Sequence, residues 1–381
     1  MLKKYVFISF IIIIPLRAIS QKHGLSGYIS NLQSNSFDSI DNTWMTNVLI
    51  HNRLNYKYTP VENISFCIEL RNRLTFGDNI TFNPDSYKSY EKDNGWFDAS
   101  FVLAKGKSYI LSSNADRLYV SFEKNNLKIT AGRQRINWGQ TLVWNPNDIF
   151  NTYSFLDFDY IERPGSDAIR IQYYNNEVTT TELAAKLNSK NELTLAGLYR
   201  FNTHEYDIQF LGGILDNSDY IAGIGWSGFV GKISFRGEAT LFQPKNKFLI
   251  EGADILSSAS FDYTLSNSLM ILVEYLYTTN NEINDTINIL KYYEAPLSVK
   301  NLSFVKHNCL IQLSYPFTPL LNGYFAFMYM PKINGYYFGP TISYSVSQNS
   351  ELSFFLQSFG LNYNNFMFRY YMLFLRFKYN F

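Results

Sequence analysis

The side chains best able to do chemistry are gathered between Gly132 and Arg170. Arg133, Arg135, Arg163 and Arg170 stand there against Asp148, Asp157, Asp159, Glu162 and Asp167. Facing rows of opposite charge across a narrow passage set up a transverse field that orients polar molecules. The same groups could instead pair with one another and hold the segment down, since arginine favours bidentate pairing with carboxylates. The segment also carries Trp138, Trp144, Pro146, Pro164, Gly132, Gly139 and Gly165. That is the composition of an ordered irregular loop, because disordered chain is poor in aromatics.

Bond-making chemistry has little to work with. His23, His51, His204 and His307 are isolated in sequence, and none lies beside a Ser or Cys in a nucleophile motif. Asp157 and Asp159 have no neighbouring histidine. Walker, His-Glu-x-x-His, EF-hand and Cys-x-x-Cys patterns are all missing. The expectation is therefore no enzyme, no catalytic residue, no metal and no cofactor. Cys67 and Cys309 fall in separate strand-like runs and are read as unpaired wall residues.

The elements around the segment belong to an exported β protein. Lys3 and Lys4, an apolar run from Tyr5 to Pro15, and Ala18-Ile19-Ser20 make residues 1–20 a signal peptide, with cleavage before Gln21. The run is too short for a retained membrane anchor. With 33 basic and 32 acidic residues there is no charge excess to steer nucleic acid, so no nucleic-acid partner is expected. The 30 Tyr and 32 Phe suit a barrel with aromatic girdles at both membrane interfaces.

From Gln21 onward, runs of about ten alternating residues are separated by polar turns, the repeat of a transmembrane antiparallel β-barrel. We count about 18 strands, with 16 as the other even number, filling residues 21–381. Early hairpins are placed around Thr59-Pro60 and Asn125. Trp96 to Leu111 reads either as an extended strand start or as a loop hairpin. Long connections, including Phe76 to Asn114, Ile136 to Ser166 and Thr279 to Ser303, sort to one end of the barrel and short ones to the other. The third long connection, residues 136–166, is the one expected to fold inward as a constriction.

Face assignment is sharpest near the C-terminus. Tyr371, Leu373, Leu375, Phe377, Tyr379 and Phe381 share one parity and Arg376, Lys378 and Asn380 the other, so the first set meets lipid and the second a wet interior. By the same rule Val273 and Tyr275 point outward and Glu274 inward. A soluble sandwich would not place so apolar a row outside. Phe381 ending an amphipathic strand fits the signal read by the barrel insertion machinery, which with outer-membrane lipid is an expected partner. Leu127, Ile129 and Ala131 would carry Arg133 outward unless a bulge or the strand end intervenes.

Gly132-Arg133-Gln134, Trp138-Gly139, Asn145-Pro146-x-Asp148 and Pro164-Gly165-Ser166-Asp167 resemble a motif region of porin-like outer-membrane proteins related to the alginate-export type, with uncharacterised Bacteroidota-like members the nearest in pattern. The resemblance implies a large single-chain barrel with a constriction. Arg135, Asp148, Arg163, Arg170, Trp138 and Trp144 are the expected constriction residues, with the two Trp wedged against the inner wall. The expected function is a channel for small hydrophilic solutes in the outer membrane of a Gram-negative bacterium. The alternative is a non-conducting barrel that anchors or helps assemble a surface or export complex.

Overall fold

The structure is a computed structural model that describes residues 22–82, 88, 93–152, 162–248, 252–279, 298–303, 305–363 and 366–381. The signal peptide, Asp157, Asp159 and most of the Thr279 to Ser303 connection lie outside the described residues. Among the described residues nineteen strands form one antiparallel sheet. They are β1 (His23–Phe37), β2 (Met45–Val61), β3 (Ile64–Gly77), β4 (Ser100–Lys105), β5 (Tyr109–Lys124), β6 (Leu127–Gln134), β7 (Ser166–Tyr174), β8 (Thr180–Leu187), β9 (Leu193–Thr203) and β10 (Tyr206–Leu215). There follow β11 (Asp219–Val230), β12 (Ile233–Pro244), β13 (Asp254–Thr264), β14 (Met270–Thr278), β15 (His307–Pro316), β16 (Leu321–Met330), β17 (Gly335–Ser347), β18 (Ser350–Tyr363) and β19 (Phe366–Asn380).

The sheet closes on itself because β1 pairs with β2 on one side and with β19 on the other, from Tyr28↔Asn380 to Phe37↔Tyr371. Closure removes both free edges, so every strand of the wall has its backbone groups satisfied inside the sheet. Eighteen strands make the closed barrel and β4 is the extra one. β5 is the reason for the extra strand. Its lower half, Leu118 to Lys124, pairs with β6, whereas its upper half, Ile110 to Asn114, pairs with β4.

The stretch Trp96 to Leu111 thus holds both a short strand and the start of a long one, and β5 runs unbroken through Ala115. The early turn is also displaced from its expected place. Thr59 and Pro60 stay in β2, whose pairing with β3 slips by a bulge between Tyr58 and Val61, so the chain reverses at Glu62-Asn63. Pro60 is tolerated because the bulge frees its nitrogen from the ladder.

Parity behaves as alternation requires. Val273 and Tyr275 are exposed on the outer face of β14, while Leu272, Glu274 and Leu276 are buried inside. On β19 Leu375, Phe377 and Tyr379 are exposed and Arg376 is buried; Phe381, just past the strand, is exposed as well. Cys67 faces inward and Cys309 outward, both free. Among the described residues no helix is long and apolar enough to cross a membrane.

Candidate constriction site

The loop after β6 starts at Arg135 and enters the barrel at once. Gly132, with φ +114°, stands two residues before the end of β6, and a Cβ there would lie 2.3 Å from the Leu118 carbonyl oxygen. From that point almost every loop residue to Asn151 is buried or half-buried. Trp138 is 0 % exposed and meets Phe150 edge-on, with ring centroids 4.9 Å apart. Around this pair Ile136 and Ile149 pack on Ala184, Leu198, Leu211 and Phe242 of the inner wall. Trp144 and Val143 sit farther on, against Leu272, Leu276, Leu310 and Met328. The two tryptophans therefore wedge the loop against the wall at two separate places.

Polar anchoring follows the same track. Glu182, Gln209, Glu238 and Glu274 project inward from β8, β10, β12 and β14, all buried. Glu182 accepts from Trp138 Nε1 at 2.9 Å, and the Gln209 amide donates to the Trp138 carbonyl. Glu238 accepts from the Gln140 backbone N–H at 2.7 Å and from the Thr141 hydroxyl at 3.0 Å. Glu274 takes the N–H groups of Leu142, Val143 and Trp144 at 3.2, 3.1 and 2.6 Å. An irregular segment inside a barrel has no ladder to satisfy its amides, and the acceptor oxygens projecting from the wall meet that need.

The return path is tied as firmly. Asn145 donates to the Thr141 carbonyl at 2.6 Å and would collide with any Cβ at Gly139. The Thr240 hydroxyl lies 2.6 Å from Asn147 Oδ1, and Asn147 Nδ2 donates to the Ile224 carbonyl at 3.0 Å. Lys186 Nζ donates to the Phe150 carbonyl at 3.0 Å. Asn151 closes the neck: its Oδ1 accepts from Ile136 N at 2.7 Å, and its Nδ2 donates to Pro164 O at 2.8 Å.

The expected constriction residues divide into three groups. Arg135 and Arg163 are brought within electrostatic range of Asp148, whose side chain is fully buried. Among the described residues neither Asp148 oxygen closes a hydrogen bond of good geometry, although the Trp138 N–H faces it. The turn is closed by the Asp148 N–H on the Asn145 carbonyl at 3.1 Å. Burial pushes the Asp148 carboxyl up to about 7, outweighing the pull of Arg135, Arg163 and Lys186. Arg170 belongs elsewhere, with Nε and Nη2 on Glu182 at 2.9 and 2.7 Å beside Trp138. Trp144 forms the third place, on Glu274.

Arg133 sits where β5 changes neighbour from β6 to β4. It forks onto Asp167 at 2.7 and 2.8 Å and also holds Asp93 and the carbonyls of Phe97 and Ala115. It fastens the chain before β4 to the top of β7.

A second charged group, on β2, β3 and β5, was not singled out from the sequence. Arg53, Arg71 and Arg73 share the inward parity, with Arg53 directly opposite Arg71. Like charges so paired repel. They are held by Asp116, which bonds Arg53 and lies 3.6 Å from Arg71 Nε, and by Glu69 on Arg53. Arg117 completes the link to the loop, donating to the carbonyls of Glu162 and Arg163 at 2.7 and 2.9 Å. The signal was present as three arginines on one parity of paired strands.

Between this wall and the loop lies a cavity of about 530 Å³, lined by Arg71, Arg73, Asp116, Phe150, Asn151 and Lys186 among others.

No family model matches the chain, and no curated protein does. Solved structures do. OccK5 (OpdH) of Pseudomonas aeruginosa aligns with TM-score 0.61 and 9 % identity over 94 % of this chain and 98 % of its own. OccK8 (OprE) of the same organism gives 0.60 and 10 % over 94 % and 98 %. OccAB4 of Acinetobacter baumannii gives 0.58 and 10 % over the same shares. The alginate-export type and a Bacteroidota origin draw no support from these comparisons. What they show is the fold: the chain is built as a closed 18-strand barrel similar to those of the Occ/Opd outer-membrane porins.

Proposed function

We propose that the chain is an outer-membrane channel through which small hydrophilic solutes diffuse, with residues 136–166 as a fixed constriction. The observation that carries this reading is the division of the lumen. The loop is clamped across β8 to β14, while the facing wall of β2, β3 and β5 keeps Arg71, Arg73 and Asp116 around a cavity. A passage of mixed charge favours polar solutes over apolar ones and orients them as they pass. The fold similarity to Occ/Opd porins supports the same reading.

The rival is a plugged barrel serving as anchor or assembly partner. It takes its support from Arg53, which is 1 % exposed and bound to Glu69 and Asp116 with Glu162 at 4.0 Å, so that wall and loop meet there. Purified, heat-modifiable protein in a planar bilayer separates the two readings. The channel gives discrete conductance steps; folded barrel without steps contradicts it.

A further inference from the structure

The outward rows of the wall are apolar almost throughout, but β1, β2, β3 and β5 depart from the rule together. On β1 the outward parity reads Ile29, Asn31, Gln33, Asn35; β2 adds Asn52, β3 adds Asn72 and β5 adds Ser113. Register makes these one patch. Asn52 pairs with Asn72, and Asn72 with Ser113, in a single row across three strands, while Asn31 and Gln33 climb from Ile29, the partner of Asn52.

The patch lies at the height of lipid. Asn31 is opposite Phe377 and Ile50, and Gln33 is opposite Leu375 and Val48, with Phe377 and Leu375 both exposed on the outer surface. Among the described residues the outward rows of the other strands carry no amide within this band; Gln243 stands at the outer end of its row.

Part of the patch satisfies itself. Asn72 Nδ2 donates to Asn52 Oδ1 at 3.2 Å, Asn52 Nδ2 to the Tyr28 carbonyl at 3.2 Å, and the Thr46 hydroxyl to Asn35 Oδ1 at 2.8 Å. Asn31 and Gln33 make no side-chain hydrogen bond among the described residues. Hydrocarbon supplies no partner for a primary amide, so leaving one bare there is unfavourable. Polar side chains at membrane depth accordingly mark protein contacts.

We propose that the outward face of β1 to β3 is the seat of a second copy of this chain, two barrels meeting within the membrane through Asn31 and Gln33. The chemistry selects this occupant. The outward row of β1 from Leu25 to Asn35 contains no charged residue, so a charged partner or lipid headgroup finds nothing to pair with. An amide is donor and acceptor at once, so a patch of Asn and Gln is complementary to itself across a two-fold axis, where each contact is made twice. The proposal rests on the barrel being in a membrane and not on its conducting.

Cross-linking in intact membranes tests it. In a Cys309→Ser background, which removes the exposed native thiol, Gln33→Cys and separately Asn31→Cys are oxidised with copper phenanthroline. Ile224→Cys, outward on the opposite wall, is the control. A disulfide-linked species of twice the chain mass at position 33 or 31, at least about tenfold above the control, is the expected result. Thiols that alkylate freely yet never cross-link, cross-linking no greater than at 224, or a linked species of any other mass would overturn it. As a second arm independent of cysteine, Asn31→Leu with Gln33→Leu leaves a heat-modifiable barrel that no longer runs as a pair after mild-detergent extraction; a pair that survives the double substitution overturns the proposal.

Discussion

Glu274 Oε1 accepts the backbone N–H of Trp144 at 2.6 Å, joining the wall of β14 to a loop that leaves the sheet eight strands earlier, at β6. The same carboxylate also holds the N–H groups of Leu142 and Val143. Glu274→Ala strands these donors, and each buried donor left unpaired costs about 1–3 kcal/mol. The expected outcome is a lower temperature of heat modification and larger, noisier single-channel currents. Glu274→Gln keeps one acceptor oxygen and falls between. Currents and melting unchanged in Glu274→Ala would mean the loop is held by its apolar wedges alone.

On the channel reading, Asp148 brings a pH dependence of definite sign. Burial raises its carboxyl from the ordinary 3.8 to about 7, so it is neutral below that value and adds one negative charge to the constriction above it. Between those two values the folded state binds the extra proton, so folding stability falls as pH rises through the window. Preference for anions should weaken as pH is raised from about 6 to about 8, and Asp148→Asn should flatten the change. Reversal potentials in a chloride gradient measure it.

Arg133→Lys keeps the charge but loses the fork that grips Asp167 at 2.7 and 2.8 Å. The stretch before β4, held through Asp93 and Phe97, should become several-fold more susceptible to limited proteolysis while the barrel remains heat-modifiable. Identical digestion patterns would show that β4 is kept in place by its pairing with β5.

Neutralising the wall opposite the loop should act on selectivity before stability. Arg71→Gln with Arg73→Gln removes two cations from the cavity lining. The ratio of chloride to potassium permeability should fall, with the folded fraction little changed because the more deeply bound Arg53 retains Asp116 and Glu69.

Some of this was legible in the sequence because alternation reports solvent directly. The outward rows of β14 and β19, inward Glu274, the loop position and the two Trp wedges all follow from parity, aromatic content and connection length. Alternation does not report partners. Glu238 and Gln140 meet across 98 residues of chain, and nothing local to either marks the other. Arg71 and Arg73 share one face of β3 two residues apart, but Arg53 joins them only through the β2–β3 register, which neither strand shows by itself. The handover of β5 from β6 to β4 was hidden for a related reason. Both neighbours lie along one edge of one strand, and a periodic pattern cannot say where pairing changes.

The central claim is that the loop narrows a conducting barrel. Deleting Ile136 to Gly165 and recording single channels beside the intact protein tests it most directly. A constricting loop gives small selective steps in the intact chain and larger, weakly selective ones after deletion. Silence from the intact folded barrel, with a pore opening only once the loop is gone, would contradict it.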